Sequence, residues 1–110
     1  LSDETLLDRD HLDAQTFGDE ALARELLGLF ADQCRSLLPG VADPGRSEAD
    51  RADLAHTLKG SALGVGASRV AARAAETEDA LRVGSDVSPG RALALAEAVA
   101  ATLAALDATS

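Results

Sequence analysis

The chain has 110 residues and a formal net charge of -9 at pH 7, with 19 acidic and 10 basic side chains. That length suits one domain, residues 1–110, and the acidity sets it against nucleic acid and anionic membrane surfaces, both of which need a basic face. One cysteine, Cys34, excludes an internal disulfide and fits a reducing cytoplasm, and no C-x-x-C or His/Cys cluster suggests a metal.

No apolar run approaches the ~18 residues of a membrane span, and the start has no signal-like pattern, so no membrane association is expected. Methionine is absent even at position 1, which fits a processed or excised piece of a longer protein. Alanine and leucine dominate, and aromatic residues make up 2%. Such a composition favours helix over strand.

In chain order, the first predicted helix runs from about Arg9 to Phe17, with Asp8 as N-cap and Gly18 as its stop. Asp19 caps a second helix whose apolar face carries Leu22, Leu26, Leu29, Phe30 and Leu37, and Pro39 and Gly40 weaken its end. Ala42–Glu48 contains Asp-Pro-Gly and reads as a connection. Ser47 caps a third helix, with Asp50 as the acid of a capping box. "GVGAS" interrupts it, and a fourth helix runs from near Ser68 to about Val83. After "GSDVSPG", Ser88 as N-cap and Pro89 as first helical residue open a fifth helix striped by Leu95, Val99, Leu103 and Leu106. Four amphipathic helices joined by short loops pack as an up-and-down antiparallel four-helix bundle, with the short first helix across one end. A three-helix bundle with frayed ends is the competing arrangement.

The third helix carries "LAHTLKGSALGVGA", Leu54 to Ala67. At about 100° per residue, Leu54, Leu58, Ser61, Ala62 and Val65 form the expected core stripe. His56 falls almost opposite, with Lys59 and Gly60 one turn on and Leu63 two turns on. Ala52, His56, Gly60 and Leu63 then make an outward face that is small or apolar where a solvated face would be charged. Gly60 costs about 1 kcal/mol relative to alanine in a helix interior, which implies close approach of another group beside His56. A neutral imidazole is a good nucleophile near neutral pH, and an adjacent ammonium neutralises phosphoryl oxygens. The pair fits phosphoryl transfer through a phosphohistidine; the plain alternative is an exposed histidine without a role. His11, without such a setting, is given none.

These residues resemble a known family. "AHTLKGSALGVGASRV", Ala55 to Val70, is similar to the signature of histidine-containing phosphotransfer domains, the relay modules of multistep two-component signalling. His56, Leu58, Lys59, Gly60, Ser61, Ala62, Val65 and Gly66 match it, and Asp19 to Gln33 resembles the family's long second helix. The resemblance implies that His56 is phosphorylated on Nε2, that Lys59 stabilises the phosphoryl group and that Gly60 leaves room for the partner. It implies response-regulator receiver domains as partners, with a hybrid sensor histidine kinase as a further candidate. The receiver would bring the magnesium site and most of the catalysis, so the chain needs no metal, no cofactor and no kinase activity of its own. A monomer is expected.

In some family members a polar residue on the fourth helix bonds the other imidazole nitrogen. The matching position is Glu78, with Arg82 at i+4 able to pair with it; the plain alternative is a solvated surface acid. Gln33, inside the expected apolar face of the second helix, either lines the site or satisfies a buried carbonyl. Leu63 and Gly64, with Ala52, are the expected docking surface. Two other functions fit the same residues: a docking module that is never phosphorylated, and the phosphorylated input domain of a larger histidine kinase. Retention of both His56 and Lys59 weighs against the first.

Overall fold

The computed structural model of the chain describes residues 5–85 and 87–109, the side chains of residues 108 and 109 excepted. Within these residues the fold is all helical, without a strand: α1 (Arg9–Gln15), α2 (Glu20–Ala42), α3 (Glu48–Val65), α4 (Ser68–Arg82) and α5 (Ser88–Thr109). Three of the helix starts follow from local chemistry. Asp8 Oδ1 accepts from the His11 amide at 3.1 Å, Asp19 Oδ1 from the Leu22 amide at 3.0 Å, and Ser47 Oγ from the Asp50 amide at 3.1 Å.

Other boundaries differ from expectation. The first helix ends at Gln15, because Phe17 and Gly18 turn left-handed (φ 54° and 77°) and the Gly18 amide closes onto Asp13 O at 3.0 Å. The second helix runs through Pro39 and Gly40 to Ala42. Tertiary contacts hold that last turn: Val41 is fully buried, and Arg51 Nε donates to its carbonyl at 2.8 Å. Ser88 is the first helical residue of α5 and not its cap, since the Arg91 amide bonds Val87 O at 3.0 Å. Asp86, in the preceding connection, lies outside the described residues.

α3 packs against α2 on one side and α4 on the other, α5 lies on α4 and α2, and α1 packs on α3 and α2. Leu12, Phe30, Leu58, Val70, Leu95 and Val99 meet in one core cluster. The buried arc of α3 is Ala52, Ala55, Leu58, Ala62 and Val65, whereas Leu54 and Ser61 are only half-buried. Compared with the predicted stripe, the arc is turned toward α4 by about 50° on a 100°-per-residue wheel. The reason is small side chains. α4 buries Ala71, Ala74 and Ala80 in turn, and alanine on both helices permits close approach without large apolar residues to mark the seam. On α2 the buried residues include Leu27, Phe30 and Cys34, whereas Leu22 and Leu29, expected inside, are exposed. Burial pushes the Cys34 thiol up to about 11 against the opposing pull of Arg35, so it stays protonated and inert.

α5 corrects the reading of the chain as free of long apolar segments. Over Ser88–Asp107 its mean hydropathy is 1.3, long and apolar enough by composition to cross a membrane. That apolarity comes from eight alanines, four leucines and one valine. One face of the helix buries Ala92, Leu95, Ala98, Val99 and Thr102 against its neighbours, while Leu93 is exposed.

Gly66 joins three helices. It ends α3 at φ 79°, its carbonyl accepts from the Asp8 amide at 2.8 Å, and an added Cβ would lie 2.9 Å from Asp8 O. Both the left-handed backbone and that contact oppose any side chain. Gly66→Ala is expected to lower stability by about 2 kcal/mol or more. A denaturant melt with an unchanged midpoint would show that α1 is not held there.

Candidate functional site

The middle of α3 lies on the α4 side of the bundle. His56 projects outward with its side chain 62% exposed, and its Nδ1 lies 3.1 Å from Glu78 Oε1 on α4. Glu78 is buried, at 10% side-chain exposure. Lys59 Nζ donates to the same oxygen at 3.2 Å, and Arg82 Nε donates to Glu78 Oε2 at 2.9 Å. Arg82 Nη2 also donates to Asp53 Oδ1 at 3.1 Å, one turn before His56 on α3.

Burial by itself would push the Glu78 carboxyl up. Hydrogen bonds from Arg82, His56 and Lys59, with the charge of Lys59, outweigh it and hold the group below its ordinary 4.5. An ionised carboxylate can only accept hydrogen bonds, so Nδ1 carries the imidazole proton and the neutral ring keeps its lone pair on Nε2. The ring nitrogen with the available lone pair is thus the one turned away from Glu78.

Of the predicted residues, the fold brings His56, Lys59, Glu78 and Arg82 together. Lys59 is not the freely solvated lysine its outward angle suggested. It is 29% exposed and paired, because its position on the wheel lies between His56 and the α4 seam. Gly60, Leu63 and Gly64 are exposed on the same helix, and a Cβ at Gly60 or Gly64 would meet nothing within 4 Å. Among the described residues no group therefore approaches Gly60. Ala52 is fully buried and takes no part in an outward surface, since it faces the alanine seam. Gln33 is exposed and satisfies no buried carbonyl: its Oε1 accepts from Ser61 Oγ across the α2–α3 crossing. Leu26, Leu29, Phe30, Gln33, Ser61 and Val65 line a groove of about 200 Å³ there. Asp53 was not anticipated; its only sequence signal is its place three residues before His56. His11 is near Gly66, about 15 Å along the helix from His56, with Nε2 buried and without a hydrogen-bond partner.

A scan against protein families matches the Hpt domain over residues 25–109, most of the chain. The chain belongs to the Hpt domain family. Neither the search of curated proteins nor that of solved structures returned a match. Hpt domains serve histidine phosphotransfer in phosphorelays, act as phosphocarrier modules and not as catalysts in themselves, and typically engage receiver domains. Among the described residues, no group of three or more His, Cys, Asp or Glu side chains is placed to hold a metal ion in this Hpt domain.

Proposed function

We propose that this Hpt domain is a phosphorelay intermediate: His56 Nε2 accepts a phosphoryl group from a receiver-domain aspartyl phosphate and passes it to another receiver. The observation that carries the reading is the 3.1 Å contact between His56 Nδ1 and buried Glu78, on a ring whose other edge is exposed. In transfer, the Nε2 lone pair forms the N–P bond as the P–O bond to the aspartate breaks, and the bonding pair leaves on the carboxylate. Nδ1 keeps its proton. The ring becomes an imidazolium whose charge faces Glu78, so the same carboxylate orients the nucleophile and stabilises the charge developing on it. In the return step an acceptor aspartate oxygen attacks phosphorus and the N–P pair returns to Nε2. Lys59, on a flexible stem beside the ring, neutralises phosphoryl oxygens.

The receiver docks over Gly60, Leu63 and Gly64 and the neighbouring groove. Gly60 supplies clearance that nothing among the described residues requires, and Leu63, 56% exposed, supplies apolar area. The 110 residues act as one cytoplasmic, monomeric module. Its α2–α5 run up and down, a reading supported by the pairings of Gln33 with Ser61, Glu78 with His56 and Arg91 with Glu76.

Docking is tested with Gly60→Gln and Leu63→Glu. Each is expected to weaken receiver binding by over ~1 kcal/mol and to slow transfer. Gly60→Gln should leave the domain as stable or more stable, by up to ~1 kcal/mol, since glycine is the poorer helix former. Thermal melts and titration with receivers charged by acetyl phosphate separate the two effects. Normal binding and transfer by Gly60→Gln would remove the clearance argument.

A further inference from the structure

Glu78 offers two oxygens, and they are not used alike. Oε1 serves His56 Nδ1 and Lys59 Nζ, at 3.1 and 3.2 Å. Among the described residues Oε2 serves Arg82 alone, with Nε and Nη2 each at 2.9 Å. The guanidinium then continues to Asp53 Oδ1 at 3.1 Å. Arg82 thus starts on α4, turns back one helical turn to Glu78, and ends on α3 a single turn from His56.

We propose that Arg82 is a positioning residue, anchored by Asp53, which holds the Glu78 carboxylate on His56 Nδ1 while Lys59 leaves that carboxylate for the phosphoryl group. The inference rests on the phosphoryl-carrier reading and deepens it. A phosphoryl group on Nε2 lies across the ring from Glu78. Lys59 therefore reaches phosphoryl oxygens only by giving up its bond to Oε1. Were Lys59 the sole cation on Glu78, that move would leave the buried carboxylate with only the neutral ring's N–H until charge develops on the ring, which is costly. Arg82 on the opposite oxygen removes the conflict: the carboxylate stays ionised and aimed, and the lysine is free to move. A planar guanidinium suits the task, because its fork spans two acceptors in one rigid geometry and a lysine in its place bonds one at a time. Asp53 fixes the outer end of that fork from the helix that carries His56.

The test uses the full chain labelled with ¹⁵N-histidine, and potassium phosphoramidate as phosphoryl donor, so that no receiver is needed. In that reaction Nε2 displaces ammonia from phosphorus. Wild type is expected to give the ¹⁵N pattern of a neutral ring protonated on Nδ1. Arg82→Gln should move the His56 pattern toward protonation on Nε2 and slow phosphorylation roughly tenfold, the rate equivalent of one charge-assisted hydrogen bond. Arg82→Lys should recover part of both, and Asp53→Asn should shift both less far in the same direction. Arg82→Gln that melts as wild type does and keeps its tautomer and rate overturns the proposal. If Arg82→Gln does not fold, Asp53→Asn decides, since Asp53 is a 73% exposed side chain; a wild-type tautomer and rate there overturn the anchored clamp. A wild-type protein that takes phosphate from neither phosphoramidate nor charged receivers refutes the carrier reading itself, which is a different outcome from a silent Arg82.

Discussion

His56→Gln is expected to abolish phosphate incorporation from a charged receiver, and His11→Gln to leave it intact. Glutamine keeps polarity and approximate size but has no nitrogen lone pair that can displace a carboxylate from phosphorus. His11 carries the same imidazole, but its Nε2 is buried and so poorly placed to take a phosphoryl group. On the proposed function the product on wild type is a phosphoramidate, so the label should be lost in acid and retained in alkali. Radiolabel transfer to the three proteins, followed by acid and base treatment, measures it. Label on His56→Gln would place the reactive group elsewhere. The substitution should cost little stability, because the ring is largely solvated and Glu78 keeps its bonds from Lys59 and Arg82.

Glu78→Gln is the second large effect and the one that tests the geometry around the ring. The amide still accepts from Nδ1, but it brings no negative charge to a ring that becomes an imidazolium. Transfer is expected to fall on the order of a hundredfold, the cost of removing a pre-aimed charge from a site of developing charge. Lys59 and Arg82 lose a common partner, so stability near neutral pH should fall by about 2 kcal/mol. The pH dependence has a definite sign. The Glu78 carboxyl sits below its ordinary 4.5 in the folded protein. Its contribution is therefore fully present above about 4.5 and is lost as pH falls through the lowered value. The stability gap between wild type and Glu78→Gln should be constant near neutral pH and close in acid below about 4.5. Melting curves of both proteins over that range check it, and a gap that widens in acid would contradict the assignment of an ionised Glu78.

The legible parts of this protein were those set by short-range chemistry. Asp8, Asp19 and Ser47 each bond an amide three residues ahead, and such a bond needs nothing beyond the local chain. Pro39 misled for the complementary reason. Its effect on an isolated helix is disruptive, but Val41 is buried and bonded to Arg51 across the bundle, and those contacts carry the helix onward.

The site divides along the same line. The spacing of His56, Lys59 and Gly60 on one helix was readable, because helical geometry places them whatever surrounds the helix. Glu78, 22 residues away, was reachable only as a matched position with a surface acid as its alternative. Its burial, and with it the proton on Nδ1, comes from the packing of α4 on α3. Ala52 was assigned outward and lies inside, since alanine marks neither core nor surface and only the neighbouring helix decides.

What the sequence determined by itself was the helical fold, most of the cap residues and the identity of the candidate nucleophile. These depend on propensity, on bonds spanning three or four residues and on a compact motif. Only the tertiary structure decided how α3 is rotated, that Lys59 is paired and half-buried, and that Asp53 and Arg82 close a chain of charges onto Glu78. Those features require two helices to meet at a particular angle and depth. That meeting is set by the summed packing of many small side chains, and no single residue of the motif encodes it.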